Sequence, residues 1–238
     1  MPDRGDGRGA VEWPTLALIA LCYGAWALGV VGLAAMSPWL AVPVVAVAAA
    51  LHSSLTHEAI HGHPFRDARL NAALVAPPLT LAVPYGRFRD LHLAHHRDAI
   101  LTDPYDDPES NYLDPARWVT LPGWARAVLR ANNTLAGRIL IGPAVGQAAF
   151  MAEDWRARDA PGVARAWAWH LPAAAAVLAV VAVAPMPVWA YLLAAYLALG
   201  LLKIRTFLEH QAHEKARART VIVEDRGPLS WLFLNNNL

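Results

Sequence analysis

The sequence predicts an all-α membrane protein: four transmembrane helices in two hairpins, with a cytoplasmic and interfacial helical cap that carries clustered histidines. Three observations lead there. No Asp, Glu, Lys or Arg occurs between Trp13 and His57, nor between Ala166 and Leu202. Because about 20 helical residues cross a hydrocarbon core, each run has room for two crossings. The turns inside the runs, Ser37-Pro38-Trp39 and Ala184-Pro185-Met186-Pro187, are uncharged, so all 20 Lys and Arg fall on the other face. The positive-inside rule makes that face cytoplasmic, with both termini on it. Nine of the ten histidines lie in or within five residues of three clusters placed at the ends of apolar segments.

Composition agrees with a membrane bundle. The chain of 238 residues is 56 % hydrophobic with a mean hydropathy of +0.30, high for a soluble protein and sized for one domain. A net charge of +1 excludes little, since 19 acids share the basic face. The first apolar run is too long for the core of a cleaved signal peptide, and a second crossing follows at once. The lone Cys22 falls in the first crossing, which excludes an internal disulfide and a cysteine metal site. No nucleic-acid partner is expected.

Taken in order, residues 1–12 are polar and glycine-rich and read as a flexible cytoplasmic tail. The crossings are placed at 13–36, 38–56, 167–184 and 187–205, with Trp13 and the pair Trp167 and Trp169 as interfacial anchors. The second helix shows no break before His63, so its last turns should project into the cytoplasm. Residues 57–166 form the cap. Within it, 70–86 is apolar but interrupted by Pro77, Pro78 and Pro84, too short and broken to cross, and reads as a re-entrant or interfacial piece. Residues 98–112 are acidic and loop-like. From Pro115 to Arg165, arginines alternate with apolar groups and with Trp118, Trp124 and Trp155, a pattern for helices lying in the interface. Residues 206–238 form a cytoplasmic tail.

The histidines carry the chemistry. His57 and His61 are four apart and share one face of a helix; His92, His95 and His96 occupy one arc at spacings of three and four. Crowding five imidazoles without an ion would leave many donors and acceptors unpaired. A cysteine-free, nitrogen-rich set disfavours iron–sulfur clusters, magnesium and calcium and suits iron, zinc or copper. Glu58, Asp90, Asp98, Asp103 and Glu209 lie close enough in sequence to orient the second ring nitrogens as an outer shell. His52 and His170 read as ordinary hydrogen-bonded residues.

The run His57-Glu58-Ala59-Ile60-His61-Gly62-His63, then His92-Leu93-Ala94-His95-His96, then Arg205-Thr206-Phe207-Leu208-Glu209-His210, resembles the integral-membrane fatty acid desaturase and hydroxylase superfamily. The likeness covers most of the chain from the second helix onward. It implies that His57, His61, His92, His95, His96 and His210 are metal ligands, with His63 and His213 as second choices. It further implies two iron ions, for which zinc could substitute, and an O2-dependent oxidation of a lipid acyl chain. Electrons would come from a separate donor, a ferredoxin or a cytochrome b5-type protein with its reductase. The best single expectation is a fatty acid desaturase; hydroxylases and ketolases acting on alkane, acyl or carotenoid substrates share the pattern. The superfamily's third box, H-x-x-H-H, is missing. The final residues Trp231 to Leu238 look like its lead-in, so the natural protein is expected to be longer.

Two other classes compete. His57-Glu58-Ala59-Ile60-His61 also fits the zinc-protease pattern H-E-x-x-H with Glu58 as general base, which leaves the second cluster surplus. A metal carrier or haem-binding membrane protein would place its ligands within the helices, where only His52 and His170 lie.

Overall fold

The structure is a computed structural model that describes residues 11–96, 113–209, 227 and 231–234, with backbone alone at 205–209. Every regular element among them is helical. Three helices are long and apolar enough to cross a membrane. The first is the rod Trp13–Met36, made of α1 (Trp13–Ala27), a π-helical turn (Leu28–Leu33) and α2 (Ala34–Met36). The others are α3 (Pro38–Ile60) and α10 (Pro161–Val183). Their mean hydropathies are 2.1, 1.6 and 1.8. A further helix, α11 (Val188–Glu209), has a shorter apolar part, Val188–Ile204.

α3 is the centre of the bundle and packs chiefly on α11 and α1. Its alanines explain this. Ala41, Ala46, Ala48, Ala49 and Ala50 are buried, and such small side chains let helix backbones approach where no hydrophobic force favours contact. Glycines do the same at two crossings. A Cβ at Gly29 would lie 2.6 Å from Val45 Cγ2, and one at Gly200 would lie 2.6 Å from the Ile139 carbonyl oxygen. The Trp39 and Trp189 rings meet at 5.3 Å, so the first turns of α3 and α11 share one end of the bundle.

Two boundaries differ from those read in the sequence. α3 stops at Ile60 instead of continuing to His63, because Gly62 adopts φ +94° and closes a Schellman turn. Its N–H donates to the Ala59 carbonyl at 3.3 Å and that of His63 to the Glu58 carbonyl at 3.1 Å. α10 begins at Pro161, before the charge-free run, since proline suits the first helical position. The first apolar run is also tethered earlier than a free tail would be. Glu12 donates its backbone N–H to the Pro64 carbonyl at 3.1 Å.

Between α4 (Ala68–Leu74) and α5 (Tyr85–His95) the chain is irregular. This stretch nevertheless packs inside: Leu79 is buried against Ala49, Ala50 and Ala198, and Leu81 lies on the cluster around Val45 and Tyr191. Carbonyls freed from helical bonding there need donors. Four side chains from four helices provide them around this stretch. Tyr23 donates to Leu74 O at 2.7 Å and Tyr191 to Leu79 O at 2.8 Å. Gln147 donates to Ala82 O at 2.9 Å, and His170 Nε2 lies 3.2 Å from Leu81 O. The remaining elements are α6 (Pro115–Thr120), α7 (Gly123–Asn132), α8 (Leu135–Leu140) and α9 (Gly142–Arg156). On them Trp124 and Trp155 are exposed, with Arg158 stacked 5.1 Å over Trp155.

Candidate metal centre

The last turn of α3 carries His57, and His61 follows as its C-cap one turn on, on the same face. The last turn of α5 carries His92, and His96 follows as its C-cap. Both pairs are spaced by four residues, so each stacks along its helix, and the two stacks face one another. The potential ligand atoms of His57, His61, His92 and His96 all lie within 4.8 Å of each other. His92 is the hub. Its Nε2 is 3.0 Å from His61 Nε2 and 2.9 Å from His96 Nε2, and its ring centroid is 4.4 Å from that of His57. His57 and His92 are buried while His61 and His96 are exposed, so the cluster is walled on one side and open on the other.

These distances suit a common ion. Two nitrogens each about 2.1 Å from one metal and at right angles to it stand about 3.0 Å apart. An all-imidazole set is at home with iron, zinc or copper alike. His57 Nδ1 lies 3.3 Å from Glu58 Oε1, an outer contact that leaves Nε2 for ligation. Although its outer edge is exposed, partial desolvation within the cluster and the three neighbouring imidazoles push His61 down to about 4, so it is neutral and able to ligate near pH 7.

The chain matches the family model for fatty acid desaturase over residues 33–238. It belongs to the fatty acid desaturase family. No curated protein and no solved structure matches it significantly. As a member of that family with three long apolar helices, it is an integral membrane protein of the desaturase and hydroxylase type.

Not every histidine predicted for this desaturase-family site joins the four. His95 is buried beside them, its ring 6.2 Å from His92 and 5.9 Å from His96, on the flank of α5 that the i, i+4 pair leaves. His63 turns away: its Nδ1 is 2.6 Å from Glu12 Oε2, a partner 51 positions earlier. Asp90 pairs with Arg89. His210, His213, Asp98 and Asp103, and the side chain of Glu209, lie outside the described residues. His52 and His170 are hydrogen-bonded within the bundle, His52 to the Tyr23 hydroxyl at 3.1 Å. A late segment also returns to α3 close to the site, where Ser54 Oγ donates to the Leu232 carbonyl at 3.0 Å.

Several residues around the centre escaped the sequence reading. Glu12 belongs by sequence to the polar tail, yet its carboxylate reaches His63. Asn71, fully buried, brackets the loop after the first box by donating to Phe65 O at 2.6 Å and accepting from Phe65 N–H at 3.0 Å. Arg87 of α5 and Trp167 of α10 both donate to the buried carboxylate of Asp154 on α9. None of these is signalled by its own sequence neighbourhood.

Proposed function

We propose that the protein is an O2-dependent membrane oxidoreductase that uses two irons to desaturate a lipid acyl chain. The observation that carries this reading is the convergence of His57 and His61 from α3 with His92 and His96 from α5, in a chain of this family. A zinc protease would use His57 and His61 and leave His92 and His96 without a task, so the four-imidazole cluster favours the oxidoreductase. A hydroxylase of the same superfamily is the alternative outcome.

When bound, the irons would supply the dioxygen activation that removing hydrogen from an unactivated methylene requires and that side chains lack. The protein's own task is to hold and orient. His57, His61, His92 and His96 make one ligand set, to which His95 and His210 are added from the flank of α5 and from beyond α11. Glu58 fixes the tautomer of His57 through Nδ1. His63, held by Glu12, belongs to the outer layer. His213, Asp98, Asp103 and Glu209 are assigned to the same surroundings.

The proposed topology has four spans in two hairpins, with the histidines and both termini at the cytoplasmic face. The apolar part of α11, Val188–Ile204, is at most 17 residues, or about 25 Å of helix. It is matched to the bilayer by local thinning, with Lys203 near its cytoplasmic end and the ammonium lying beside Gly146 of α9. The re-entrant piece is the segment 70–86, whose two ends are the last turn of α4 and the first residues of α5 and whose middle is irregular. The four side-chain donors around it support this, because irregular backbone at membrane depth persists only where protein satisfies it. Helices α6 to α9 cap the bundle at the interface, and a separate protein supplies the electrons.

The test is lipid profiling of cells expressing the full-length protein or its His92→Ala variant. A new unsaturated acyl product found only with the unsubstituted protein supports desaturation, and a hydroxylated one supports the alternative. Identical lipid profiles with an iron-loaded protein would overturn both.

A further inference from the structure

Metal ligation in this chain requires two separate helices to be aimed at one point, and the contacts that aim them are unequal. α5 meets α3 through its histidines, His92 against His57 and His61, and packs more extensively on α10. Its first turn meets α10 closely: a Cβ at Gly86 would lie 3.1 Å from Ala166 Cβ. Beside that contact sits Asp154 of α9, whose carboxylate is 3 % exposed and accepts one hydrogen bond at each oxygen. Arg87 Nε donates to Oδ1 at 2.8 Å and Trp167 Nε1 donates to Oδ2 at 2.7 Å. One turn-pair earlier on α9, Gln147 donates to the Ala82 carbonyl, just before α5 begins. The base of α5 is therefore fastened to α9 and α10 at three points, and the histidines stand at its far end.

Lever arithmetic makes this consequential. From Arg87 to His96 is nine residues, about 13 Å of helix, so a tilt of only about 2° at the base moves the tip by about 0.5 Å, the tolerance of a working site. A buried charge pair is expensive for stability alone, but its geometry is directional and specific. We propose that Asp154, with Arg87 and Trp167, is a positioning joint that sets the aim of His92 and His96 toward His57 and His61. The inference rests on the metal-centre reading for its consequence, though not for its geometry.

Two measurements on the full chain in detergent micelles test it. The first is a Co2+ titration followed by visible absorption. The second needs no metal: the rate of cross-linking between cysteines placed by His61→Cys and His96→Cys in a Cys22→Ala background. Asp154→Asn should weaken Co2+ binding at least tenfold and slow the cross-link, with helical circular dichroism retained. Trp167→Phe, which keeps the ion pair and folds more safely, should move both in the same direction by less. Unchanged binding and cross-linking in both variants, or losses that only track lost helix, would overturn the joint. If the unsubstituted chain fails to bind Co2+ while Asp154→Asn still slows cross-linking, the metal reading fails and the joint stands.

Discussion

Replacing Tyr191 by Phe removes one oxygen from the middle of the bundle and should cost the fold about 2 kcal/mol. The hydroxyl is fully buried, donates to the Leu79 carbonyl at 2.8 Å and accepts from Trp26 Nε1 at 3.3 Å. The ring still fills its space in Phe, so no cavity term enters. What remains is two orphaned groups. A buried unsatisfied partner costs about 1–3 kcal/mol, while hydrogen bonds between transmembrane helices average only about 0.6 kcal/mol because the unfolded chain finds other partners. The Leu79 carbonyl sits on irregular backbone with no helical donor to fall back on, which places it toward the upper figure; the long Trp26 contact belongs to the lower. The sum, about 2 kcal/mol, is roughly a 30-fold change in the unfolding equilibrium. Reversible unfolding in mixed micelles, followed by circular dichroism, reads it. Trp26→Phe should cost less than half as much in hydrogen bonding. A Tyr191→Phe loss below about 0.5 kcal/mol would refute the claim that side-chain donors hold the irregular stretch in place.

Other outcomes follow from the same geometry. His61→Ala and His96→Ala should each lower bound iron, measured by metal analysis, with little loss of thermal stability, since both residues are exposed and support no core packing. Gly62→Ala should destabilise by about 1–2 kcal/mol, because φ +94° penalises a Cβ; equal unfolding midpoints would count against the Schellman stop. Gly200→Ala should cost about 1–3 kcal/mol by pushing α11 off the Ile139 carbonyl, which backbone cannot yield cheaply. Asn71→Leu should loosen the loop after the first box, seen as faster amide exchange at Phe65, whose N–H loses its acceptor. Exchange equal to the parent's would show that the loop is held by something else.

What the sequence determined by itself were the properties carried by near neighbours. Charge-free runs gave the long apolar helices, because span length depends only on rise per residue and bilayer thickness. The spacing of four in His57 and His61, and again in His92 and His96, placed each pair on one face because helical period is local. The family likeness rested on the same short boxes. A glycine at position 62 is also a local stop signal, one that a reading of the helix as unbroken to His63 passes over.

Tertiary structure decided which imidazoles share a point. His95 has the same local credentials as its neighbours, but α5 meets α3 through the 92 and 96 face, and the flank is left beside the cluster. His63 was diverted by Glu12, 51 residues away in sequence. Arg87 and Asp154 lie 67 residues apart, and nothing in the composition around either one announces a partner. Such pairings are set by where helices pack, and packing is chosen by the whole pattern of small and large side chains on several helices at once. Only the assembled bundle brings together groups that the local code can place on a face but cannot aim.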